Sequence, residues 1–347
     1  MVHHFQALRP ATEPVCSVCI ANYNGAKILP DCIDSILAQA GDIPMEIIVH
    51  DDASSDGSAE WIQQRYPNVE LLVSGENVGF CIANNRMTER ARGRYLLLLN
   101  NDAALHTDAL KVFLEESQRQ SIRSILTLPQ YDWETNELID RGCLLDPLHV
   151  PAPNFNPERA EIAFVIGACL WISREDWQVL GGFPEWMDSV GEDLYLCCAA
   201  RLQGWSIRCL PSSGYRHRQG ASFGGNHIGP NGIRTRYRRR HLSERNRLAA
   251  FIACTPTMFM WPWLILQLTM LLLEGAALSL ALRSTRPWRD IYIAALRDIW
   301  QRGKEILALR RSLQTNRTCT LSDYLRAFTP WPRKLIIFLR NGTPRIS

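Results

Sequence analysis

The sequence has little excess charge and no cysteine spacing typical of a disulfide framework or a zinc site. Its 347 residues include 38 Lys and Arg against 35 Asp and Glu, a formal net charge of +3, which argues against a general binder of nucleic acid. The cysteines number eleven and are irregularly spaced. Cys16 and Cys19 form a C-x-x-C, but no second pair at zinc spacing accompanies it. We therefore predict free buried thiols and a reducing cytosol as the compartment.

Two nucleotide-binding motifs are also missing. No G-x-G-x-x-G follows the first predicted strand, which disfavours a dinucleotide site, and no G-x-x-x-x-G-K-[ST] occurs, which removes a P-loop. The N-terminal residues lack the apolar core of a signal peptide. We expect residues 1–13 to form a flexible N-terminus.

The sequence does contain a regular alternation of apolar runs and helical patterns over about its first hundred residues. Strands are predicted at "VCSVCIA", "MEIIVHD", "VELLVS" and "RYLLLL", and each ends in polar residues. Helical spacing between these runs predicts a mostly parallel sheet with helices on both faces. Further along, "AEIAFVIGACLWISRE" is predicted as a strand and "EDLYLCCAARLQGW" as a helix.

The C-terminal third is apolar and then basic. Residues 248–273 contain no charged residue, which is long enough to cross a hydrocarbon core. We predict that residues 251–283 associate with a membrane and that a continuous helix begins near Trp263, after two prolines. A buried helix pair broken at those prolines is the alternative. Residues 284–347 form a basic amphipathic helical tail, typical of a surface on anionic lipid.

Five carboxylates fall where this fold would bring them together. Asp51, Asp52 and Asp102 follow strands, and Glu192 and Asp193 open a later helix. The carboxyl ends of parallel strands share one edge of a sheet, where ligands usually bind. Crowded carboxylates repel unless a cation or protons compensate, and Mg²⁺ often combines one or two of them with substrate phosphates. We therefore expect a phosphate-bearing substrate with Mg²⁺ or Mn²⁺.

Seven motifs in order make the chain resemble a known family. They are "CSVCIANYNG", "IIVHDDASSDGS", "ENVGFCIANN", "LLLLNNDA", "GACLWISREDW", "GGFPEWMDSVGEDLYLCCAARLQGW" and "YRHRQGAS". Together they resemble the GT-A glycosyltransferases of family 2, most closely the bacterial rhamnosyltransferase-like enzymes of cell-surface polysaccharide assembly. The resemblance covers roughly residues 14–250 and implies a GT-A α/β domain with a C-terminal helical extension.

The resemblance also implies residues for the nucleotide-sugar donor. The base pocket would be lined by Ala21, Asn22 and Tyr23, with Asp52 reading the pyrimidine edge. Asp51 would hold the strand end. Near the diphosphate, Gly79 would allow close backbone approach, Asn85 would brace that loop, and Asn101 would join the donor site.

By the same match, "NND" takes the place of the family's D-x-D, with Asp102 as the metal ligand. Asn100 and Asn101 replace acids common in relatives, so one carboxylate remains in this motif to hold the metal. His217 would add a nitrogen ligand or a phosphate contact, or is only a solvated surface histidine.

"GED" would supply the general base, Asp193, for an inverting sugar transfer. Glu192 would bind the acceptor hydroxyl or stabilise the helix start. The expected donor is a UDP- or dTDP-sugar, and the expected acceptor is a glycan or a lipid-linked sugar at the cytoplasmic face of the plasma membrane.

Several plainer alternatives stay open at this stage. The acids at the strand ends and at "GED" also suit helix caps and first turns. The basic run "RTRYRRRHLSERNRL" is either a solvated face or a contact for diphosphate or lipid, and its Arg245 and Asn246 match a family "RN" that would close over the donor. Trp186 would contact the acceptor. A nucleotidyltransferase and a non-catalytic nucleotide-sugar-binding scaffold are the alternative functions.

Overall fold

The structure is a computed structural model that describes residues 2–219, 227–229, 232–342 and 345–346. Within these residues the predicted strands form the middle of an eight-stranded sheet. In spatial order its strands are β1 (Val2–Phe5), β4 (Glu70–Ser74), β3 (Met45–Asp51), β2 (Cys16–Asn22), β5 (Tyr95–Leu99), β12 (Cys169–Ser173), β7 (Ser124–Thr127) and β13 (Ser206–Cys209). Strands β2 to β5 are parallel, as predicted, and β12 runs antiparallel between β5 and β7.

Burial on both faces explains why β5 is apolar throughout. Leu96 and Leu98 belong to one hydrophobic core, whereas Leu97 and Leu99 belong to the core on the opposite face, because successive side chains of a strand point to opposite sides. Helices that follow the strands cover the sheet. They are α1 (Leu29–Leu37), α2 (Ser58–Arg65), α3 (Phe80–Arg90), α4 (Ala109–Arg119), α5 (Arg174–Leu180) and α6 (Glu192–Leu202).

Smaller sheets accompany the central sheet. One contains β6 (Ala103–Leu105), β14 (Tyr215–His217), β8 (Gln130–Asp132) and β9 (Leu138–Asp140) in that order. A second pairs β10 (Cys143–Leu145) with β11 (Pro151–Pro153), and a third contains β15 (His227–Gly229), β16 (Gly232–Thr235) and β17 (Arg345–Ile346). Because β6 follows β5 after three residues, the first of these sheets brings β14 to the end of β5.

The C-terminal part is helical. It consists of α7 (Tyr237–Cys254), α8 (Thr257–Ala281), a π-helical stretch (Trp288–Ile293) leading into α9 (Ala294–Gln301), α10 (Gly303–Thr315), α11 (Leu321–Leu325) and α12 (Arg333–Asn341). Helix α8 is long and apolar enough to cross a membrane, and 22% of its apolar window is buried. All eleven cysteines are buried and free, which confirms that expectation.

The structure corrects three details of the sequence analysis. Residues 2–5 pair with β4 as an antiparallel edge strand, so the prediction of a flexible N-terminus is wrong there. Helix α8 begins at Thr257 and continues through Pro262, which has no N–H to donate to a backbone hydrogen bond of the helix. The long strand predicted over residues 160–175 is confined to β12.

The C-terminal tail is not separate from the part of the chain that contains the central sheet. Ile306, Leu313, Tyr324 and Ala327 lie in the same hydrophobic core as the face of the sheet that carries Leu96 and Leu98. Arg201 of α6 donates to the carbonyls of Asp323 and Tyr324 at 3.0 and 2.8 Å. The predicted boundary at residue 250 therefore does not coincide with a boundary of the core.

Candidate active site

Three strand ends are joined by buried polar side chains. Asn101 donates from Nδ2 to Oδ1 of Asn22 at 2.9 Å, and Asn22 donates to Oδ2 of Asp51, also at 2.9 Å. Asp51 further accepts from the Ser58 hydroxyl at 3.2 Å and from the Ser54 amide at 3.0 Å. Asp51 thus holds the strand end, the role that the resemblance implied for it.

This network explains why an asparagine precedes Asp102. A carboxylate at position 101 would only accept hydrogen bonds, so it would set an acceptor against Oδ1 of Asn22. Gly25 is needed beside the pair, since a Cβ there would lie 2.1 Å from Oδ1 of Asn22 and 2.5 Å from Nδ2 of Asn101. The sequence motif gave no signal for this role of Gly25.

Asp52 fixes the loop before α3. Its two carboxylate oxygens accept the amides of Val78 and Gly79 at 2.7 and 2.9 Å. Burial raises the pKa of Asp52, and those two amides oppose the rise. Gly79 has φ of +88°, where a side chain is strained, and a Cβ on it would meet Oδ1 of Asp188 at 2.5 Å. Both residues therefore shape the loop, and lone pairs on Asp52 remain to accept from a base.

Asn85 braces a different segment from the one expected. It donates to the Phe183 carbonyl at 2.9 Å and accepts from the Phe183 amide at 3.1 Å. The contact therefore joins α3 to the chain before α6 and does not hold the loop at Gly79. At the base-pocket end, Tyr23 is exposed and Ala21 is half-buried at the tip of β2.

The candidate metal ligands lie together. His217 is opposite Ala103 in the β14–β6 pairing, which places its Nε2 3.0 Å from Oδ1 of Asp102. Both side chains are buried, and Nδ1 of His217 has no partner among the described residues. His217 is therefore not a solvated surface residue.

A hard divalent cation fits this pair when a substrate supplies further oxygens. One carboxylate oxygen and one imidazole nitrogen leave most of the coordination shell of Mg²⁺ or Mn²⁺ open to phosphate and water. In the described parts of the chain, no cluster of three His, Cys, Asp or Glu side chains forms a complete metal site. The chemistry of Asp102 and His217 thus suits a metal that is completed by its substrate.

Asp193 is held next to the end of β5. Strand β12 pairs with β5 so that the Asn100 amide donates to the Ala168 carbonyl at 3.0 Å. One residue earlier, the Gly167 amide donates to Oδ2 of Asp193 at 2.9 Å. Strand pairing alone therefore brings the "GED" carboxylate to the edge that carries Asn101 and Asp102.

Glu192 and Asp193 form a desolvated carboxylate pair. Burial raises the pKa of both, and the neighbouring Asp193 raises that of Glu192 further. Oδ1 of Asp193 accepts the Leu194 amide at 2.7 Å, whereas Oε2 of Glu192 is buried with no partner in the described residues. A carboxylate with a raised pKa in a cleft is suited to accept a proton near neutral pH.

The loop before α6 is strained and is held by α7. Asp188, Val190 and Gly191 have φ of +63°, +68° and +98°, and such a φ is unusual for a β-branched residue. Asn246 donates to the carbonyls of Met187, Ser189 and Val190 at 2.8, 3.1 and 2.9 Å.

Arg245 supports the same loop from the neighbouring position. Its guanidinium donates to the Trp186 and Met187 carbonyls at 3.0 and 2.9 Å. Arg245 and Asn246 therefore position the loop that leads to the candidate base, Asp193. The "RN" pair was the only sequence signal for this function.

The comparisons with known proteins agree with this geometry. The model of the family "Glycosyl transferase family 2" matches residues 17–180. Chondroitin synthase of Escherichia coli is 28% identical over 187 residues, 53% of this chain and 26% of that protein. N-acetylglucosaminyl-diphospho-decaprenol L-rhamnosyltransferase of Mycobacterium tuberculosis is 25% identical over 218 residues, 54% of this chain and 71% of that protein.

Solved structures share the fold at low identity. S. aureus TarS in complex with UDP-GlcNAc aligns with a TM-score of 0.55 at 16% identity, covering 94% of this chain and 92% of that chain. The mannosyltransferase PcManGT of Pyrobaculum calidifontis, in complex with GDP-Man and Mn²⁺, aligns with a TM-score of 0.51 at 19% identity, covering 86% and 90%.

The chain spans about a quarter of the length of the Escherichia coli chondroitin synthase that it matches, so that protein's activity as a whole does not transfer to it. The matches favour a glycosyltransferase over the nucleotidyltransferase and scaffold alternatives. Residues 17–180 match the glycosyltransferase family 2 model, and the mostly parallel sheet with C-terminal helices is the GT-A fold of the solved structures, so these matches support a family 2 glycosyltransferase, an enzyme.

Proposed function

We propose that this enzyme transfers one sugar, with inversion, from a pyrimidine-nucleotide-diphosphate donor to a glycan or lipid-linked acceptor in cell-surface polysaccharide assembly. The observation that carries the proposal is the hydrogen bond from the Gly167 amide to Asp193. It fixes a desolvated carboxylate beside the strand end that bears Asp102. Asp193, as the general base, and the residues that would contact the donor then face one cleft.

The reaction follows from these positions. The acceptor hydroxyl attacks the anomeric carbon of the donor sugar while Oδ2 or Oδ1 of Asp193 takes the hydroxyl proton. The new C–O bond forms as the bond from that carbon to the diphosphate oxygen breaks, and the nucleoside diphosphate leaves with the electron pair. Mg²⁺ or Mn²⁺ held by Asp102 and His217 would supply Lewis-acid neutralisation of the departing diphosphate.

The nucleotide would bind along the tips of β2 and β3. Ala21, Asn22 and Tyr23 would line the base pocket, with Asp52 accepting from the pyrimidine ring. The backbone at Gly79 approaches the same cleft. This part of the proposal rests on the family resemblance and on the lone pairs that Asp52 retains.

A panel of UDP- and dTDP-sugars with Mn²⁺ tests the reaction through nucleotide release. We expect Asp193→Asn to lower the release rate by about 10²–10⁴-fold, the usual contribution of a positioned base. Because burial raises the pKa of Asp193 and the base must be deprotonated, the low-pH limb of the rate profile should lie above the pKa of an ordinary aspartate. If the Asp193→Asn variant binds the donor and releases nucleotide at the wild-type rate, the assignment of Asp193 as the general base is refuted.

We also propose that α8 and α12 dock on the cytoplasmic face of the plasma membrane. Their exposed apolar residues include Ile265 and Leu273 on α8 and Leu335, Phe338 and Leu339 on α12. Lys334 ties the two helices by donating to Glu274 at 2.5 Å. An apolar face beside Lys and Arg side chains suits an interface with anionic lipid.

Flotation with phosphatidylglycerol vesicles tests the docking. We expect the double change Phe338→Glu and Leu339→Glu to weaken vesicle binding at least about tenfold, because two apolar side chains leave the lipid. Leu37→Glu is the matched control, since Leu37 is equally exposed on α1, far along the chain from these helices. Equal loss in both variants would contradict the docking surface.

A further inference from the structure

Helix α7 carries an arginine, Arg239, on the side of Asp193. No neighbour among the described residues forms an ion pair with this arginine. Arg239 is half-buried and forms no hydrogen bond or ion pair with any residue that the structure describes. It lies seven residues before Asn246, so both side chains leave the same face of the helix. Asn246 contacts the loop before α6, and Arg239 is therefore directed at the beginning of α6.

The charges nearest to Arg239 are those of the carboxylate pair. Burial lowers the pKa of Arg239, while Glu192 and then Asp193 raise it. These acids are not close enough for an ion pair of 4.0 Å. Oε2 of Glu192 is also without a partner in the described residues although Glu192 is only 5% exposed. Oε2 of Glu192 is thus a buried acceptor without a partner in the described residues, which is costly, and the half-buried Arg239 offers donors to a ligand near the same carboxylates.

More cations surround the loop next to this space. The guanidinium groups of Arg245 and Arg302 lie 5.8 and 5.4 Å from the Trp186 ring centroid. Arg245 shares Asp298 with His241, and within the described parts of the chain Arg302 forms an ion pair only with the exposed Glu305, at 3.1 Å. Arg302 comes from the C-terminal helices, so that segment contributes to the side of the cleft that carries the base.

In-line displacement decides which substrate these cations serve. The attacking hydroxyl and the leaving diphosphate lie on opposite sides of the anomeric carbon. The diphosphate belongs with Asp102 and His217, and the attacking hydroxyl belongs with Asp193. Cations on the side of Asp193 therefore face the acceptor and not the departing group.

We propose that Arg239 forms part of an acceptor subsite for a sugar that carries a phosphate or carboxylate group close to its reacting hydroxyl. Arg302 and the ring of Trp186, which lies in the loop before α6, form the rest of this subsite. This inference rests on the proposed function. Arg239 binds the anionic group, Glu192 accepts from a neighbouring hydroxyl, and Trp186 packs against a sugar face. The rest of the acceptor lies towards Arg302.

Three acceptors with the same aglycone test the subsite: an octyl glycoside, its glycosyl phosphate and the corresponding octyl uronide. We expect the wild type to show a KM at least about tenfold lower for one or both charged acceptors than for the neutral one. Comparing the glycosyl phosphate with the uronide shows whether the subsite prefers a phosphate or a carboxylate group. Arg239→Gln should raise the KM for the preferred charged acceptor by about 10- to 100-fold and leave that for the neutral acceptor within about twofold.

Further variants separate a binding role from a structural one. Arg239→Lys should restore part of the lost affinity, because it keeps the charge but not the planar donor group. The donor Kd, measured by calorimetry with UDP-sugar and Mn²⁺, should be the same in wild type and Arg239→Gln. Arg311→Gln, which removes an equal charge from an exposed position on α10, is the control and should leave every KM unchanged.

Two results would overturn the inference while leaving the proposed function intact. One is a wild type that transfers sugar but does not prefer a charged acceptor. The other is an equal change in donor Kd for Arg239→Gln, which would assign Arg239 to the donor diphosphate. A wild type that transfers to none of the acceptors and releases no nucleotide would overturn the proposed function as well.

Discussion

Removing the side chain of Asn246 should lower both the catalytic rate and the stability of the protein. The Asn246 amide is fully buried and donates to three carbonyls of the loop before α6, while its oxygen accepts from Nε of Arg245 at 2.9 Å. In Asn246→Ala the Ser189 and Val190 carbonyls and Nε of Arg245 lose this partner, whereas the Met187 carbonyl still accepts from Arg245. A buried unsatisfied group costs about 1–3 kcal/mol, but water and loop relaxation recover part of this, so we expect a loss of about 2–4 kcal/mol in the free energy of unfolding.

The loop itself works against its native shape, and this affects the rate. Residues at unusual positive φ, such as Asp188 and Val190, cost about 1–3 kcal/mol each and persist only when the surroundings hold them. Once released, the loop should relax and carry Asp193 with it. A displacement near 1 Å costs about 100-fold in rate, so kcat in Asn246→Ala should fall about that much.

Urea unfolding and single-turnover transfer measure the two effects separately. Asn246→Asp keeps the shape but turns an acceptor towards three carbonyls, so it should be at least as harmful as Asn246→Ala. Asn84→Ala is the control: Asn84 is equally buried but donates to one carbonyl, that of Phe80, so it should lose about 1 kcal/mol with kcat nearly unchanged. Wild-type kcat in Asn246→Ala, or wild-type stability in Asn246→Asp, would refute the reasoning.

Two further predictions concern stability. Burial, with a smaller effect of Arg247, lowers the pKa of His149 to about 3. The free energy of unfolding that neutral His149 contributes is therefore fully present above the unfolded pKa near 6.5. It is lost as the pH falls below that value, by about 2 kcal/mol between pH 6.5 and 5. Urea titrations should show a shallower pH slope in His149→Phe, and an unchanged slope would contradict the assignment. A chain ending at residue 250 should fail to unfold cooperatively, because Tyr324 and the other core residues beyond that point each stabilise by about 1.5–3 kcal/mol; a cooperative calorimetric transition would show that the boundary predicted at that residue was correct.

The central sheet could be predicted from the sequence because its strands are buried on both faces. Continuous apolar runs such as Leu96–Leu99 leave few alternatives, and polar residues mark where each run ends. β12 was less accessible to such reasoning. Residues 162–168 are as apolar as a strand, but they contact the β10 segment and α6 as irregular chain, and only tertiary packing distinguishes the two cases.

The sequence predicted which residues lie in the candidate site better than it predicted what each of them does there. Motif order located Asp102, His217 and Asp193, whose backbone neighbours then bring them to one edge. The function of Asn85 depends on which carbonyl comes within reach of its amide, and no sequence period encodes that. In the sequence, Arg239 is only one member of a basic run. The structure places its unpaired guanidinium on the face of α7 that is turned towards Asp193.

The predicted C-terminal boundary falls inside the hydrophobic core for a physical reason. Basic and apolar residues alternating at helical period describe a helix with one buried face, whether the partner is lipid or protein. Residues 303–328 bury that face in the core, whereas α8 and α12 leave much of theirs exposed. Composition cannot separate these cases, since both remove apolar area from water.

The placement of α10 and α11 in the core has a consequence for synthesis of the protein. A nascent chain releases the sheet first, then the apolar α8, and only afterwards Ile306 and Tyr324, which fill the remaining gap against α6. Until those residues leave the ribosome, the sheet has an uncovered apolar flank. If α8 docks on lipid as proposed, arrival at the bilayer and completion of the core overlap in time, and a ribosome stalled after α8 would display a membrane-bound but unfinished enzyme.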